Sequence, residues 1–361
     1  MGGERCEQMI FSSPKQTFNG RPLGFSRLLT AHNSLLTKPW RHVAIVFLLL
    51  FTAHYSLLTA HAQSSEPVDI VRIDTDLVNL NVSVLNRKVS DQPLSFQQKD
   101  FTVFDDGQPQ EISFFASGET PFDLVLLLDL SGSTADKIKL IRKSASRFVD
   151  AARPADRIAI FTFTTDIQAV SKLTSDHAAL KKSIEAIERP VGGTNFWDAM
   201  RFVLEHVVIQ SRVEHRRSAI IVMTDGVDNA LPDVFGDGST TTFDDLMEIV
   251  RRADSVVMPV YLDTEKESNP RSTPPSAYAM AREQLAMLAA ESGNTVYKAR
   301  KLKDLEGVYA QVIRDLGTIY SIGYRPGNRG HQGAWHSLEV KLVGHPDLAV
   351  RAKRGYYEMA Q

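Results

Sequence analysis

Apolar positions along this chain fall into three successive regimes. Over residues 69–116 they alternate with polar ones. In DLVNLNVSVLN, residues 76–86, Val78, Leu80, Val82 and Val84 share one face while Leu77, Asn79, Asn81 and Ser83 share the other, the period of a half-buried strand. DFTVFDDG (100–107) and EISFFA (111–116) repeat that pattern, and Asp105-Asp106-Gly107 is a hairpin-turn signal. At Phe122 the alternation gives way to FDLVLLLDLSGS. This run is too short for a membrane span and is bounded by Thr120-Pro121 and Ser131-Gly132. It predicts a strand buried on both faces of a parallel sheet.

Helical and strand periods then alternate. The pattern predicts a helix over 137–152, with Ser133 or Thr134 as its N-cap, a strand over 157–163 and a short antiparallel edge over 167–173. Helices follow over 176–187 and 196–208, then a second apolar strand, SAIIVMT, over 218–224. A helix over 243–253, a strand over 256–262, a helix over 277–292, a short strand over 295–298 and a helix over 302–316 complete the series. Such alternation implies right-handed crossovers and a doubly wound sheet. Beyond it the strand period returns in TIYSIGYRP (318–326), HSLEVKLV (336–343) and LAVRAKRGYYE (348–358).

The first regime amounts to one thin sheet, which needs a partner layer. Residues 66–118 and 318–358 together reach roughly a hundred, the size of an immunoglobulin-like sandwich. The expected fold class is therefore α/β: a doubly wound, mostly parallel sheet over 120–317, inserted in a β-sandwich formed by the N- and C-terminal strands. Lys341, Arg351, Lys353 and Arg354 read as a basic patch on a solvated face of the closing strands, and Asn81-Val82-Ser83 as ordinary strand surface.

Composition narrows the partners. With 43% hydrophobic and 23% charged residues the chain is globular in character. The net charge is -2, and residues 1–62 hold six Lys/Arg against two Glu, so the remainder carries -6. That balance gives no reason to expect nucleic acid as a partner. Cys6 is the one cysteine, which excludes disulfides, thiolate metal sites and a cysteine nucleophile beyond the N-terminal segment. Within that segment Lys38 and Arg41 precede VAIVFLLLFTA, and Ala60-His61-Ala62 precedes Gln63. These are the three parts of a secretory signal peptide, so the expected location is secreted, periplasmic or at the cell surface. A membrane is involved only if the segment is an uncleaved anchor.

The candidate chemistry collects where strands end. Asp129, Ser131 and Ser133 follow the first apolar strand, Thr194 lies in the Gly192-Gly193-Thr194-Asn195 loop, and Asp225 follows SAIIVMT. In open α/β sheets the carboxyl rim is where ligands bind. Two carboxylates and three hydroxyls from three loops suit a hard divalent cation such as Mg2+, with Mn2+ or Ca2+ as alternatives. So few acids leave the cation under-neutralised, and therefore receptive to an acidic ligand from outside. Asn195 is placed to cap the helix that follows. Asp228, Asp233, Asp237, Asp244 and Asp245 are irregularly spaced and read as a solvated loop rather than a second cation site.

Enzyme readings lack their residues. There is no GxGxxG after the first strand and no GxxxxGK[ST]. Ser131 sits in LSGS rather than GxSxG, with no histidine placed to activate it. A phosphotransfer role for Asp129 would resemble the haloacid dehalogenase pattern, whose second acid is replaced here by Ser131. The chain is not expected to be an enzyme.

Asp129-Leu130-Ser131-Gly132-Ser133, Thr194 in GGTN and Asp225 in TDG together resemble the von Willebrand factor type A domain and its metal-ion-dependent adhesion site, across residues 120–317. The flanks, DFTVFDDG before and GYRP with RAKRGYYE after, resemble a bacterial, chiefly acidobacterial, subgroup of secreted relatives. The resemblance implies that Ser131 and Ser133 coordinate the metal directly, Thr194 directly or through water, and Asp129 and Asp225 largely through water. It implies a protein partner that offers an Asp or Glu, and a metal-dependent binding or adhesion module. The competing expectation is a structural assembly factor of an envelope complex in which the metal is incidental.

Overall fold

The computed structural model describes residues 77–85, 95–132, 138–188, 192–214, 216–267, 271–299, 301, 304–327, 333–345 and 347–358. All belong to one compact unit, Asp74–Gln361. The signal-like segment and the expected Ser133 or Thr134 cap lie outside the described residues. Among those described, no helix is long and apolar enough to cross a membrane.

Four strands come first: β1 (Val78–Leu85), β2 (Phe101–Asp105), β3 (Gln108–Gln110) and β4 (Ile112–Ala116). The alternating region comprises β5 (Phe122–Asp129), α1 (Ile138–Ala151), β6 (Arg157–Phe163), β7 (Ile167–Thr174), α2 (His177–Glu185) and α3 (Phe196–Val203). Helix α3 continues through a π-helical segment, Leu204–Val208, into a last turn, Ile209–Val213. Then come β8 (Arg217–Thr224), α4 (Phe243–Arg252), β9 (Ser255–Leu262), α5 (Pro275–Glu291), β10 (Tyr297–Ala299) and α6 (Leu305–Leu316). The chain closes with β11 (Ile319–Tyr324), β12 (Trp335–Leu342), β13 (Ala349–Arg351) and β14 (Gly355–Tyr357).

The central sheet has the order β10-β9-β8-β5-β6-β7. Strand β5 runs parallel to both neighbours, β6 and β8, and β7 is the antiparallel edge. Every residue of β5 is buried, because helices cover both faces. Phe122, Leu124, Leu126 and Leu128 pack with Ile141, Phe148, Leu180, Tyr309 and Val312 from α1, α2 and α6. Val125 and Leu127 face the other way, toward Phe196, Met200, Leu246, Ala281 and Leu285 from α3, α4 and α5. A strand that is apolar at every position can only be satisfied between two such layers. Chain order reverses across the β5/β8 boundary, the switch point of a doubly wound sheet.

The outer strands form two four-stranded sheets, β13-β1-β11-β4 and β14-β12-β2-β3. Val78 to Ser83 pair antiparallel with Tyr324 to Ile319, so segments from the two ends of the chain are direct neighbours. Leu80, Val82 and Val84 share one core with Phe101, Val103, Tyr320 and Ile322. The fold is thus the expected doubly wound α/β sheet inserted in a β-sandwich built from both ends.

Three local expectations change. LAVRAKRGYYE is two strands, not one: β13 pairs with β1 in the first sheet and β14 with β12 in the second. That crossing splits the basic quartet, since Lys341 lies on β12, paired with Glu339 and over the Phe104 ring, while Arg351 lies on β13. Nor is the polar face of β1 a free surface. Asn79 Nδ2 donates to Asp254 Oδ2 (3.2 Å), Asn81 Nδ2 to the Asp254 carbonyl (3.3 Å) and Ser83 Oγ to the Gly293 carbonyl (3.4 Å). Those loops lead into β9 and β10, so the sandwich packs on the amino-terminal rim of the central sheet.

Both connections between the two parts pass through one clamp. A Cβ on Gly118 would lie 2.0 Å from the Gly317 carbonyl oxygen, so the outgoing and returning chains touch only because residue 118 has none. Arg217, buried at the start of β8, donates from Nη1 to the carbonyls of Ser117 (2.6 Å) and Thr120 (3.2 Å). Its Nη2 donates to the Ile319 carbonyl, and its guanidinium lies 3.9 Å from the centre of the Phe122 ring. Burial first, and the neighbouring Arg153 second, pull its pKa down to about 9. Arg217→Ala would leave these carbonyls without their donor in a buried site, at about 1–3 kcal/mol for each group left unpaired. We expect a loss of at least about 2 kcal/mol in denaturant unfolding, with Arg217→Lys intermediate.

Candidate metal centre

Strand β5 ends in a turn made by its own last side chain. The Leu130 amide still donates to the Phe163 carbonyl (3.0 Å), but the next amide, of Ser131, turns back onto Asp129 Oδ1 (2.9 Å). Strand β8 ends the same way. The Val227 amide donates to Asp225 Oδ1 (3.1 Å) across Gly226, whose φ of +77° is the left-handed conformation such a turn needs. Two neighbouring strands therefore stop at the same rim, each with a carboxylate folded over its end.

Hydroxyls from adjacent strands orient these acids. Thr224 Oγ1 donates to Asp129 Oδ2 (2.6 Å) while accepting from the Gly226 amide (2.8 Å). Thr264 Oγ1, just past β9, donates to Asp225 Oδ2 (2.6 Å). The loop carrying Thr194 is fixed at both sides: the Asn195 amide donates to the Thr164 carbonyl after β6, and the Asn229 amide to the Thr194 carbonyl after β8 (each 2.9 Å). Since β5 lies between β6 and β8, this loop spans the end of β5. Asp129, Ser131, Thr194 and Asp225 are all buried at that rim. Ser133 lies outside the described residues.

The electrostatics are strained. Asp129 has no solvent exposure and Asp225 has 3%. Burial first, and the Asp225 carboxylate second, push the Asp129 pKa up to about 7, against hydrogen bonds from Ser131 and Thr224. Two buried acids facing one another favour either a shared proton or a cation between them. The donor set is oxygen throughout, carboxylate and hydroxyl, as a hard divalent ion requires. By that test the residues present fit a bound divalent cation.

Two expectations near the rim need correction. Asn195 occupies the N-cap position of α3, but its side chain makes no capping bond. Asp228 Oδ2 accepts from the Trp197 amide (3.0 Å) and Ser239 Oγ from the Asp198 amide (3.0 Å) instead. Asp228 is thus no part of a solvated loop. It is fully buried, and its Oδ1 accepts from the amides of Ala230 (2.8 Å) and Ser239 (3.0 Å). Asp233, Asp237, Asp244 and Asp245 are exposed, as expected. Thr264 joins the rim without being among the expected residues, although a hydroxyl two residues beyond an apolar strand carries the same strand-end signal that marks Asp225.

The family model for the von Willebrand factor type A domain matches residues 123–311, just over half of the chain. Similar solved structures include BatB from Bacteroides thetaiotaomicron, at 16% identity over 54% of this chain and 98% of that one, with a TM-score of 0.40. A von Willebrand factor type A protein from Catenulispora acidiphila is 15% identical over 74% of this chain and 76% of that one, with a TM-score of 0.44. Proximal thread matrix protein 1 from the mussel byssus, with a zinc-occupied MIDAS motif, is 16% identical over 60% of this chain and half of that one, with a TM-score of 0.43.

The raised Asp129 pKa has a definite sign. Between the unfolded value near 4 and about 7 the metal-free folded protein holds a proton that the unfolded chain has released, so this group's contribution to stability falls as pH rises through that window. We expect Asp129→Asn to stabilise the metal-free protein at pH 8 by roughly 2 kcal/mol. Mg2+ should raise the wild-type melting temperature more at pH 8 than at pH 5 and leave the variant unchanged. Calorimetry with chelator and with Mg2+ at both pH values checks this.

Proposed function

The chain belongs to the von Willebrand factor type A domain family, and on that premise we propose that it is a metal-dependent protein-binding module acting outside the cytoplasm, secreted, periplasmic or at the cell surface. The observation that carries the reading is the buried approach of Asp129 and Asp225 at the rim of the switch point. On this reading Ser131, Ser133 and Thr194 offer hydroxyl oxygens to Mg2+, and Asp129 and Asp225 hold its waters. Bound there, the ion supplies a Lewis-acidic position for a carboxylate from a partner protein. Thr224 and Thr264 each hold one oxygen of an acid by donating to it, so the acids keep their orientation whether or not a partner is present. The sandwich, packed on the amino-terminal rim, stands at the opposite edge of the sheet from this face. We divide the chain accordingly, with residues 66–118 and 318–358 as one supporting domain, residues 120–317 as the binding domain and residues 1–62 as the export segment.

Capture of partners from a native envelope fraction by the full-length chain tests the reading. We expect capture in Mg2+ to fall at least tenfold with EDTA, or with Asp129→Ala, and to return when Mg2+ is restored to the wild type only. Capture that is indifferent to both treatments would sink the metal-dependent reading and leave an assembly factor with an incidental ion.

A further inference from the structure

The sandwich core ends in a polar layer that its apolar alternation does not explain. On β2 the inward positions are Phe101, Val103 and then Asp105. His336 stands on the same face of β12 as Leu338, Val340 and Leu342. Asp105 is 5% exposed and His336 6%. Burying an acid and an imidazole at the end of a core is unfavourable unless something compensates both.

Their surroundings are arranged around the atoms that face inward. Tyr324 and Tyr356 both donate to Asp105 Oδ2 (2.7 and 3.0 Å), leaving Oδ1 buried with no hydrogen-bond partner. The Ser337 amide (2.8 Å) and hydroxyl (3.1 Å) both donate to Asp106 Oδ1. His336 Nδ1 lies 3.5 Å from Asp105 Oδ1 and 3.0 Å from Asp106 Oδ2. On the far side of the ring, Nε2 and Glu358 Oε2 are 3.5 Å apart, each buried and without a hydrogen-bond partner. The ring itself stacks on Tyr356, 5.0 Å between centroids.

We propose that Asp105 Oδ1, Asp106 Oδ2 and His336 Nδ1 form a second divalent-metal site, in the sandwich and separate from the rim of the central sheet. Ligand atoms about 2.0–2.2 Å from a shared ion lie about 3–3.5 Å from each other, the separation found between Nδ1 and each carboxylate oxygen. The remaining atom of each ligand is engaged or faced by a second group: tyrosines on Asp105, Ser337 on Asp106, Glu358 toward His336. This is the outer-shell arrangement that fixes metal ligands and sets the imidazole tautomer. One imidazole with two carboxylates selects Zn2+, Mn2+ or Co2+ over Mg2+. The site is reachable because Asp106, in the left-handed turn between β2 and β3 (φ 48°), is exposed. An ion there would staple the β2-β3 hairpin to β12, and through Glu358 to the chain just after β14. Strand β11 runs from Ile319 at the domain junction to Tyr324 at this layer, about 17 Å at 3.3 Å per residue, so the two metal sites occupy distant ends of the chain's fold.

The test uses the full chain carrying Asp129→Ala, which silences the rim, and Co2+ as the probe. We expect one equivalent to bind with a visible ligand-field band, displaced by Zn2+, and Zn2+ to raise the melting temperature. His336→Gln should abolish the band. Glu358→Gln, which preserves shape and leaves the three ligands in place, should weaken binding 10–100-fold with an unchanged circular dichroism spectrum. Absence of the band in the Asp129→Ala chain at millimolar Co2+ overturns the proposal, and so does wild-type affinity in both the His336 and Glu358 variants.

Discussion

The repulsion between Asp129 and Asp225 is the constraint to which the rest of the central domain answers. The two ends of β5 show what is unusual about it. Near the amino end, Asp123 is as buried as Asp129, yet its pKa is lowered: burial opposes ionisation, but Arg157 and Arg216 hold the carboxylate from both sides. Arg157 donates at 2.8 and 2.6 Å and Arg216 at 2.7 Å. At the carboxyl end burial acts in the same direction, and what lies opposite is another acid. One strand thus carries two interior carboxylates under opposite fields, and only the pair at the ligand-binding rim is set to demand a cation.

Holding two acids in that position requires a frame that does not relax. Relaxation would mean moving a strand end outward, and β5, β8 and β9 are each buried along their whole length. The close contacts at the rim are short hydroxyl bonds from Thr224 and Thr264, groups that can donate to an ionised acid without neutralising it. Asp228 anchors the loop after β8 to the start of α3, so the Thr194 loop is positioned through Asn229 by a third buried carboxylate. That residue is structural where Asp225, three positions earlier, is electrostatically exposed to its neighbour.

Much of this was legible in the sequence because periodicity reports burial directly. A run apolar at every position requires cover on both faces, and an acid directly after it must lie at a strand end. The alternation in β1 puts Leu80, Val82 and Val84 on one face, and that face is the buried one. What periodicity leaves out is the identity of whatever covers the polar face. Asn79 and Asn81 look like strand surface, yet they hydrogen-bond the loop before β9, a partner more than 170 residues away. The division of LAVRAKRGYYE between two sheets depends on pairing with β1 and β12, which no local pattern encodes. Asp105 looks like part of a turn, although it falls in phase with Phe101 and Val103. An acid in step with a buried stripe was the available signal for the polar layer it shares with His336.

The insertion also explains how so thin a sandwich can exist. β1 and β11 are separated by more than 230 residues, and neither the strands before the central domain nor those after it make a closed core alone. Bringing two such distant segments together as free chain would carry a large loop-closure entropy, growing as the logarithm of the separation. The central domain removes most of that cost by its own folding, because it delivers its first and last residues to one place. Gly118 and Gly317 are in contact there, and Arg217 binds carbonyls of both connections. From that point β4 and β11 run antiparallel side by side, Ala116 opposite Ser321, until the register shifts between Gly323 and Tyr324. The sandwich is therefore a consequence of the domain inserted in it, and the clamp at Arg217 is where the stability of one becomes the stability of the other.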